Sequence, residues 1–218
     1  MAGVQITGLP ELLRRMDEVA RQQAPFAMAK AMTKTMRQAK VALDAHIPEA
    51  FDRPTPFTQR AVAFSGATKR DLTASVFVKD IQAKYLRTEA EGGPRQFKSF
   101  EEKFAEGGQT RVALPGRGAP LNQYGNLTKA KIKQIARDVN TSGKAKRFFS
   151  GKPKGQDLPA GIYTRTNNNK SITPLLVFAT AAVYEKRFKF SEIGTATITA
   201  QFEANMVQAW AEAVRTAR

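Results

Sequence analysis

The sequence predicts an α+β fold: long N- and C-terminal helices packed on a small, mainly antiparallel sheet, with a basic, partly extended insertion between them. Three observations carry this prediction. Apolar residues recur at three- and four-residue spacing near both ends of the chain, which is the helical period. Residues 72–79 alternate at the two-residue period of a half-buried strand. Residues 107–170 hold 13 Lys or Arg against two acids, so +11 of the formal +16 falls in a stretch rich in Gly, Pro and Asn. The 218 residues are 42% hydrophobic, enough for a core and too much for a disordered chain. The chain therefore reads as a single domain, 1–218, in which 107–170 is an insertion or arm.

Val4–Thr7 reads as a short strand and Gly8 as a turn. Leu9-Pro10-Glu11 opens a helix, with Pro in the first turn where its missing N–H costs little. Leu9, Leu12, Leu13, Met16 and Val19 mark its apolar face. Pro25 is expected to interrupt or restart it. The face resumes through Ala29, Met32, Met36, Ala39 and Leu43, with Lys30, Lys34, Arg37 and Lys40 on other sides, and Pro48 is expected to end it. Phe51–Thr58, with two prolines, reads as extended or turn backbone, and Thr58 as the cap of a short helix through Phe64. In 72–79, Leu72, Ala74, Val76 and Val78 face one way. Tyr85–Glu91 reads as a helical turn or a strand end, and Phe97, Phe100 and Phe104 as a short amphipathic helix. Arg111–Leu114 is a predicted strand before the Pro115-Gly116 turn. Asn126 or Thr128 caps a helix over 127–139 with Ile132, Ile135 and Val139 as its stripe. Asn140–Gly155 reads as a mobile loop. Ile162–Arg165 and Leu175–Phe178 are predicted strands, and 167–169 a turn. Ile198, Phe202, Met206, Ala209, Trp210 and Ala213 make the last helical stripe, with Thr195 or Thr197 at its start.

Catalytic chemistry has little to work with here. The chain has no Cys and one His, which removes disulfides, thiol nucleophiles and cysteine metal sites. His46, at a helix end, reads as a capping or packing residue, and no serine has the strand–turn–helix setting of a nucleophile elbow. The acids are scattered, the nearest groups being Glu101-Glu102 and Glu89 with Glu91. Gly116-Arg117-Gly118 is a turn and lacks the Lys-Ser/Thr of a phosphate loop. The expectation is no enzyme, no cofactor and no metal. No apolar run reaches the length of a membrane span, so no membrane partner is expected. The first residues lack the basic start and apolar stretch of a signal peptide, and the chain reads as one folded in the cytosol.

The basic residues are the candidate site. Lys129, Lys131, Lys133, Arg137, Lys144, Lys146, Arg147, Lys152 and Lys154 are predicted contacts to nucleic acid or to a neighbouring subunit. As solvated loop charge they mean nothing specific. As a phosphate-facing surface they give salt-sensitive, sequence-independent binding. Phe148, Phe149 and Tyr124 are placed to stack on bases or to anchor the loop to a neighbour. Lys129, Lys131 and Lys133 alternate, so a helix through them is expected to spread its charge broadly. No zinc finger, RNA-binding strand signature or helix-turn-helix accompanies them.

Four stretches in order carry a resemblance. They are Ile6-Thr7-Gly8-Leu9-Pro10-Glu11-Leu12-Leu13 before a long Ala/Met/Lys helix; Asp52-Arg53-Pro54-Thr55-Pro56-Phe57-Thr58; Leu121-Asn122-Gln123-Tyr124-Gly125-Asn126-Leu127 before a helix with Gln134-Ile135; and Pro174-Leu175-Leu176-Val177-Phe178 followed by Tyr184-Glu185-Lys186-Arg187-Phe188-Lys189-Phe190. Together they resemble phage tail-completion and minor tail proteins, including the minor tail protein Z family. The resemblance implies a structural virion protein that completes or caps the tail tube and helps join tail to head. It implies an oligomeric ring of the chain with itself, other tail and neck proteins as partners, genomic DNA in the channel, and a place at the tail or head–tail junction after assembly in the host cytoplasm. The alternative expectation, from a pI near 10.3, is a cytosolic protein that binds nucleic acid non-specifically.

Overall fold

Helix α1 spans Glu18–Ala50 and runs without a break through Pro25 and Pro48. This corrects the expected interruption at Pro25 and stop at Pro48. Each proline removes one ladder donor and crowds the carbonyl four residues back, but the buried stripe of Met32, Met36, Ala39, Leu43 and Ile47 holds most of the helix to the core. Past Pro48 the Phe51 N–H still reaches the Ile47 carbonyl at 3.1 Å. The computed structural model describes residues 4–5, 18–104, 111–140, 147–166 and 171–216. The Gly8 turn and the helix opening at Leu9 lie outside the described residues. The chain divides into two compact units, Met1–Gly92 with Glu185–Arg218, and Gly93–Tyr184.

In the first unit α1 pairs antiparallel with α5, Phe190–Arg215. The register is fixed by Lys30 on Glu212, Asn205 on Thr35 and Gln38 on Gln201. At one end Ala27 and Ala31 share a core with Ala209 and Ala213, side chains small enough for close backbone approach. Asn205 is buried on the stripe, a polar position the apolar spacing did not disclose. It donates to Thr35 Oγ1 at 2.9 Å and also to Gln38 Oε1, so its burial leaves no stranded amide. Trp210 is only half-buried beside the alanine seam. The helix starts at Phe190, several residues before Thr195, because Phe190 is itself buried in the core.

Against the helix pair lies a three-stranded antiparallel sheet of β1 (Val4–Gln5), β2 (Val62–Ser65) and β3 (Ser75–Val78), in the order β1-β3-β2. The alternation in 72–79 holds: Ala74, Val76 and Val78 are buried, while Phe77 faces outward. The expected helix through Phe64 is a strand instead. Val62 pairs with Val78 and Phe64 with Val76, a non-local pairing that overrides a short local pattern. The helix before it, α2, is only Pro56–Gln59, and its cap is Thr55, whose Oγ1 accepts from the Thr58 N–H at 3.2 Å. α3, Asp80–Glu91, is a full helix that begins ahead of Tyr85 and buries Gln82 and Leu86. His46 packs as expected: its ring is stacked 6.1 Å from Phe188, and its Nε2 accepts from the Lys189 N–H at 3.3 Å.

The second unit opens and closes on a two-stranded ribbon of β4 (Gly93–Pro94) and β9 (Val183–Tyr184), with Gly93 opposite Tyr184. Gly92 and Gly93 have φ of 78° and 99°, conformations open to glycine at little cost, and they turn the chain out of α3. The main sheet has the order β5-β8-β7-β6, all antiparallel: β5 Val112–Pro115, β6 Phe148–Gly151, β7 Gly161–Thr166 and β8 Ser171–Ala179. β8 starts well before Leu175 and carries Pro174 inside it. The register slips there, Ile162 pairing with Leu176 and Tyr163 with Pro174. Such a bulge is where a strand tolerates proline. At Gly161 a Cβ would sit 2.3 Å from the Leu176 carbonyl oxygen, so only glycine lets β7 come this close.

Helix α4, Lys129–Asn140, lies against β6. Ile135, Ala136, Phe148, Ile162, Leu175 and Leu176 form the core of this unit. The expected mobile loop Asn140–Gly155 is in part a strand, because Phe148 and Phe149 pair with Thr164 and Tyr163. Residues 141–146 and the expected turn at 167–169 lie outside the described residues. The expected Phe97–Phe104 helix is a single 3-10 turn, Glu101–Phe104. It buries an ion pair that sequence did not disclose. The Glu101 carboxylate is fully buried, faces the Arg95 guanidinium in a two-pronged contact, and accepts from the Lys98 and Ala113 N–H groups at 2.7 and 2.8 Å. Burial pushes this carboxyl up, but the Arg95 hydrogen bond and the two amides outweigh it and hold it below the usual carboxylate range.

Candidate basic interface

The stretch Leu121–Leu127 folds into a closed loop that delivers α4. Asn122 Oδ1 accepts from the Tyr124 and Asn126 N–H groups, both at 3.0 Å, and the Asn122 N–H donates to the Asn126 carbonyl at 2.9 Å. Leu121 bridges Leu127 across it. Of the two caps expected, Thr128 is the one used: its Oγ1 accepts from the Lys131 N–H at 3.2 Å. With Ile135 and Ala136 turned into the core, Lys129, Lys133 and Arg137 fall at four-residue spacing on one exposed flank. Arg137 occupies the last turn, where a cation suits the helix dipole.

Lys131 takes the other flank. Its Nζ stands 5.1 Å from the Phe148 ring centre and donates to Gln134 Oε1 at 3.0 Å. The charge is therefore spread around the helix as expected: Lys129, Lys133 and Arg137 form a stripe on one flank, and Lys131 on the other borders an aromatic ring. Arg147 comes to the same ring from just before β6, its guanidinium 5.5 Å from the Phe148 centre. Lys152 and Lys154 are exposed beyond the end of β6. Lys144 and Lys146 lie outside the described residues.

The aromatic part of the expectation changes most. Phe148 is 2% exposed and cannot stack on a base. Phe149 is covered on one side by Tyr163, ring centres 5.7 Å apart, and contacted by Arg165 at 4.6 Å. Both rings hold cations in place, and Tyr124 and Phe149 are the partly exposed rings of the three. Arg165 belongs with the site and was missed. Its signal was the two-residue offset from Tyr163 in a strand, which puts both on one face.

Two acids of the expected clusters have structural partners. Glu101 is the buried ion-pair member described above, and Glu91 pairs with Arg87 at 3.3 Å. The Glu89 carbonyl receives the Arg187 and Phe188 N–H groups, each at 2.9 Å. Among the described residues no group of three His, Asp or Glu is placed to hold a metal ion, and no helix is long and apolar enough to cross a membrane. What the second unit can do chemically is electrostatic: its exposed lysines and arginines on α4, on β7 and at either end of β6 present hydrogen-bond donors to an anionic surface. Comparison with protein-family models, curated proteins and solved structures finds no match to the chain.

Proposed function

We propose that the chain is a structural virion protein of a tailed phage, completing or capping the tail tube and helping join tail to head as one subunit of an oligomeric ring. The observation that supports this reading, beside the four ordered stretches, is grouped apolar exposure on the first unit. Phe57 and Ile81 are 51% and 65% exposed and line an open groove of about 620 Å³ with Pro56, Arg60, Lys79 and Asp80 at its edges. Helix α5 carries a second set, Val207 and Val214, at 65% and 51%. Single exposed apolar residues are ordinary. Two separate groups are what a head-to-tail ring needs, because two different patches of one chain meet at each joint. Sedimentation of the full chain is expected to show a closed oligomer, and Ile81→Asp to return it to monomers with unchanged helicity. A chain that stays monomeric at its highest soluble concentration and is absent from purified virions overturns the reading.

The exposed cations of α4, of β7 and at either end of β6 favour a second reading, a cytosolic protein that binds nucleic acid non-specifically. Alanine at Lys129, Lys133, Lys152 and Lys154 is expected to change unfolding free energy by less than about 1 kcal/mol, since exposed charges contribute little. The same variant is expected to impair particle assembly or DNA retention if the face works in a virion. Particles that assemble and hold DNA normally would make these residues solvated surface.

A further inference from the structure

The first unit carries its own basic groove, far in sequence from the basic insertion. Lys30, Lys34 and Arg37 recur on α1 at four- and three-residue spacing, which sets their heads on one face along about 10 Å of helix axis. Lys69, from the segment between β2 and β3, borders the same groove of about 520 Å³, floored by Phe26 and Ala29. Of the four cations, Lys30 meets a carboxylate, Glu212. The other three are positioned by neutral groups. Lys34 donates to the Gln208 side-chain amide. The Lys69 Nζ stands 4.9 Å from the Phe26 ring centre, and the Arg37 guanidinium 5.9 Å from that of Phe64.

Like charges at this helical spacing repel by a few tenths of a kcal/mol per pair. Aromatic and amide partners orient the heads without neutralising them. Among the described residues, Lys34, Arg37 and Lys69 thus have neutral partners and keep their charge for an outside anion. They lie in a line instead of converging on a point, which suits a linear polyanion better than a single ion. The second unit carries exposed cations of its own.

We propose that Lys34, Arg37 and Lys69 form a phosphate-backbone contact site for nucleic acid on the first unit, separate from the cations of the second. The site stands whether the chain works as a ring subunit or alone. Each phosphate neutralised contributes about 0.9 to the slope of log affinity against log salt on duplex DNA. The test is anisotropy of a labelled duplex of arbitrary sequence, titrated with the full chain over a range of salt. Lys34→Ala/Arg37→Ala/Lys69→Ala is expected to lower the magnitude of the slope by about 2 or more and to weaken binding alike for unrelated sequences. The Gln triple at the same positions is expected to do the same and guards against a packing defect. Lys84→Ala/Arg87→Ala/Lys189→Ala removes equal exposed charge elsewhere on the unit, away from both grooves, and is expected to change the slope by less than half as much. An unchanged slope in the groove triple, or an equal change in the control, overturns the proposal. So does a chain that ignores the duplex but binds poly-glutamate in a groove-dependent way, which would assign the groove to an acidic protein partner.

Discussion

Glu101→Ala is expected to destabilise the second unit by about 3–5 kcal/mol, because it strands a buried guanidinium. The Arg95 side chain is 9% exposed and the Glu101 side chain 0%, so water does not replace the lost carboxylate. The Ala113 N–H, which opens onto β5, loses its acceptor as well. Hydrogen exchange is the suitable readout: protection should fall at the amides of β5 and the adjacent part of β8. Arg95→Met/Glu101→Leu removes both charges together and is expected to recover most of the loss. The sign of the pH dependence follows from the depressed carboxyl. The stabilisation is fully present above the ordinary glutamate range and is lost as pH falls through the lower folded-state value. A Glu101→Gln chain should lack that portion of the acid sensitivity. If Glu101→Ala unfolds within about 0.5 kcal/mol of wild type, a range ordinary for surface changes, the pair contributes nothing of the kind described.

Phe188→Ala is expected to cost the first unit about 3–5 kcal/mol, the range for emptying a buried aromatic site. Phe188 is 0% exposed and sits among His46, Phe51 and Phe190, with ring centres about 6 Å away in each case. It enters the core where the chain returns toward α5, so its removal opens a cavity at the base of the helix pair and beside the return strand of hydrogen bonds to Glu89. Urea unfolding followed by helical circular dichroism is the measurement, with Phe188→Leu as a volume-sparing comparison expected to lose less than half as much. A loss below about 1 kcal/mol would mean that the site collapses without a cavity.

How far sequence reaches depends on where the stabilising partner lies. The α1 and α5 stripes and the 72–79 alternation were legible because burial follows a local period. The Thr128 cap was legible because cap and amide are three residues apart. Strand β2 was not, since only its pairing with β3 distinguishes it from a helical turn. Strand β6 hid behind a glycine- and lysine-rich surround, although Phe148 and Phe149 were in plain view. Of the candidate site, the exposed lysines were legible as charge, but not their grouping: Lys131 and Arg147 gather on Phe148 only once α4 lies on β6. Glu101 was read, with Glu102, only as one of the nearest groups among scattered acids. Its partners, Arg95 and the Ala113 amide, come from separate segments, and no spacing announces them.

The β4–β9 ribbon has a consequence for heredity. Gly93 and Tyr184 face each other as partners in one antiparallel pair, so the 92 residues of Gly93–Tyr184 leave and re-enter at neighbouring points, a gap of about 5 Å between paired Cα atoms. A tight two-residue turn such as Asn-Gly spans a gap of that kind. Recombination can therefore delete, replace or transplant the basic module as a cassette while the reading of the helix pair continues on either side. The variable part of such a lineage is then expected to be the cassette, and the ribbon the seam at which it is exchanged.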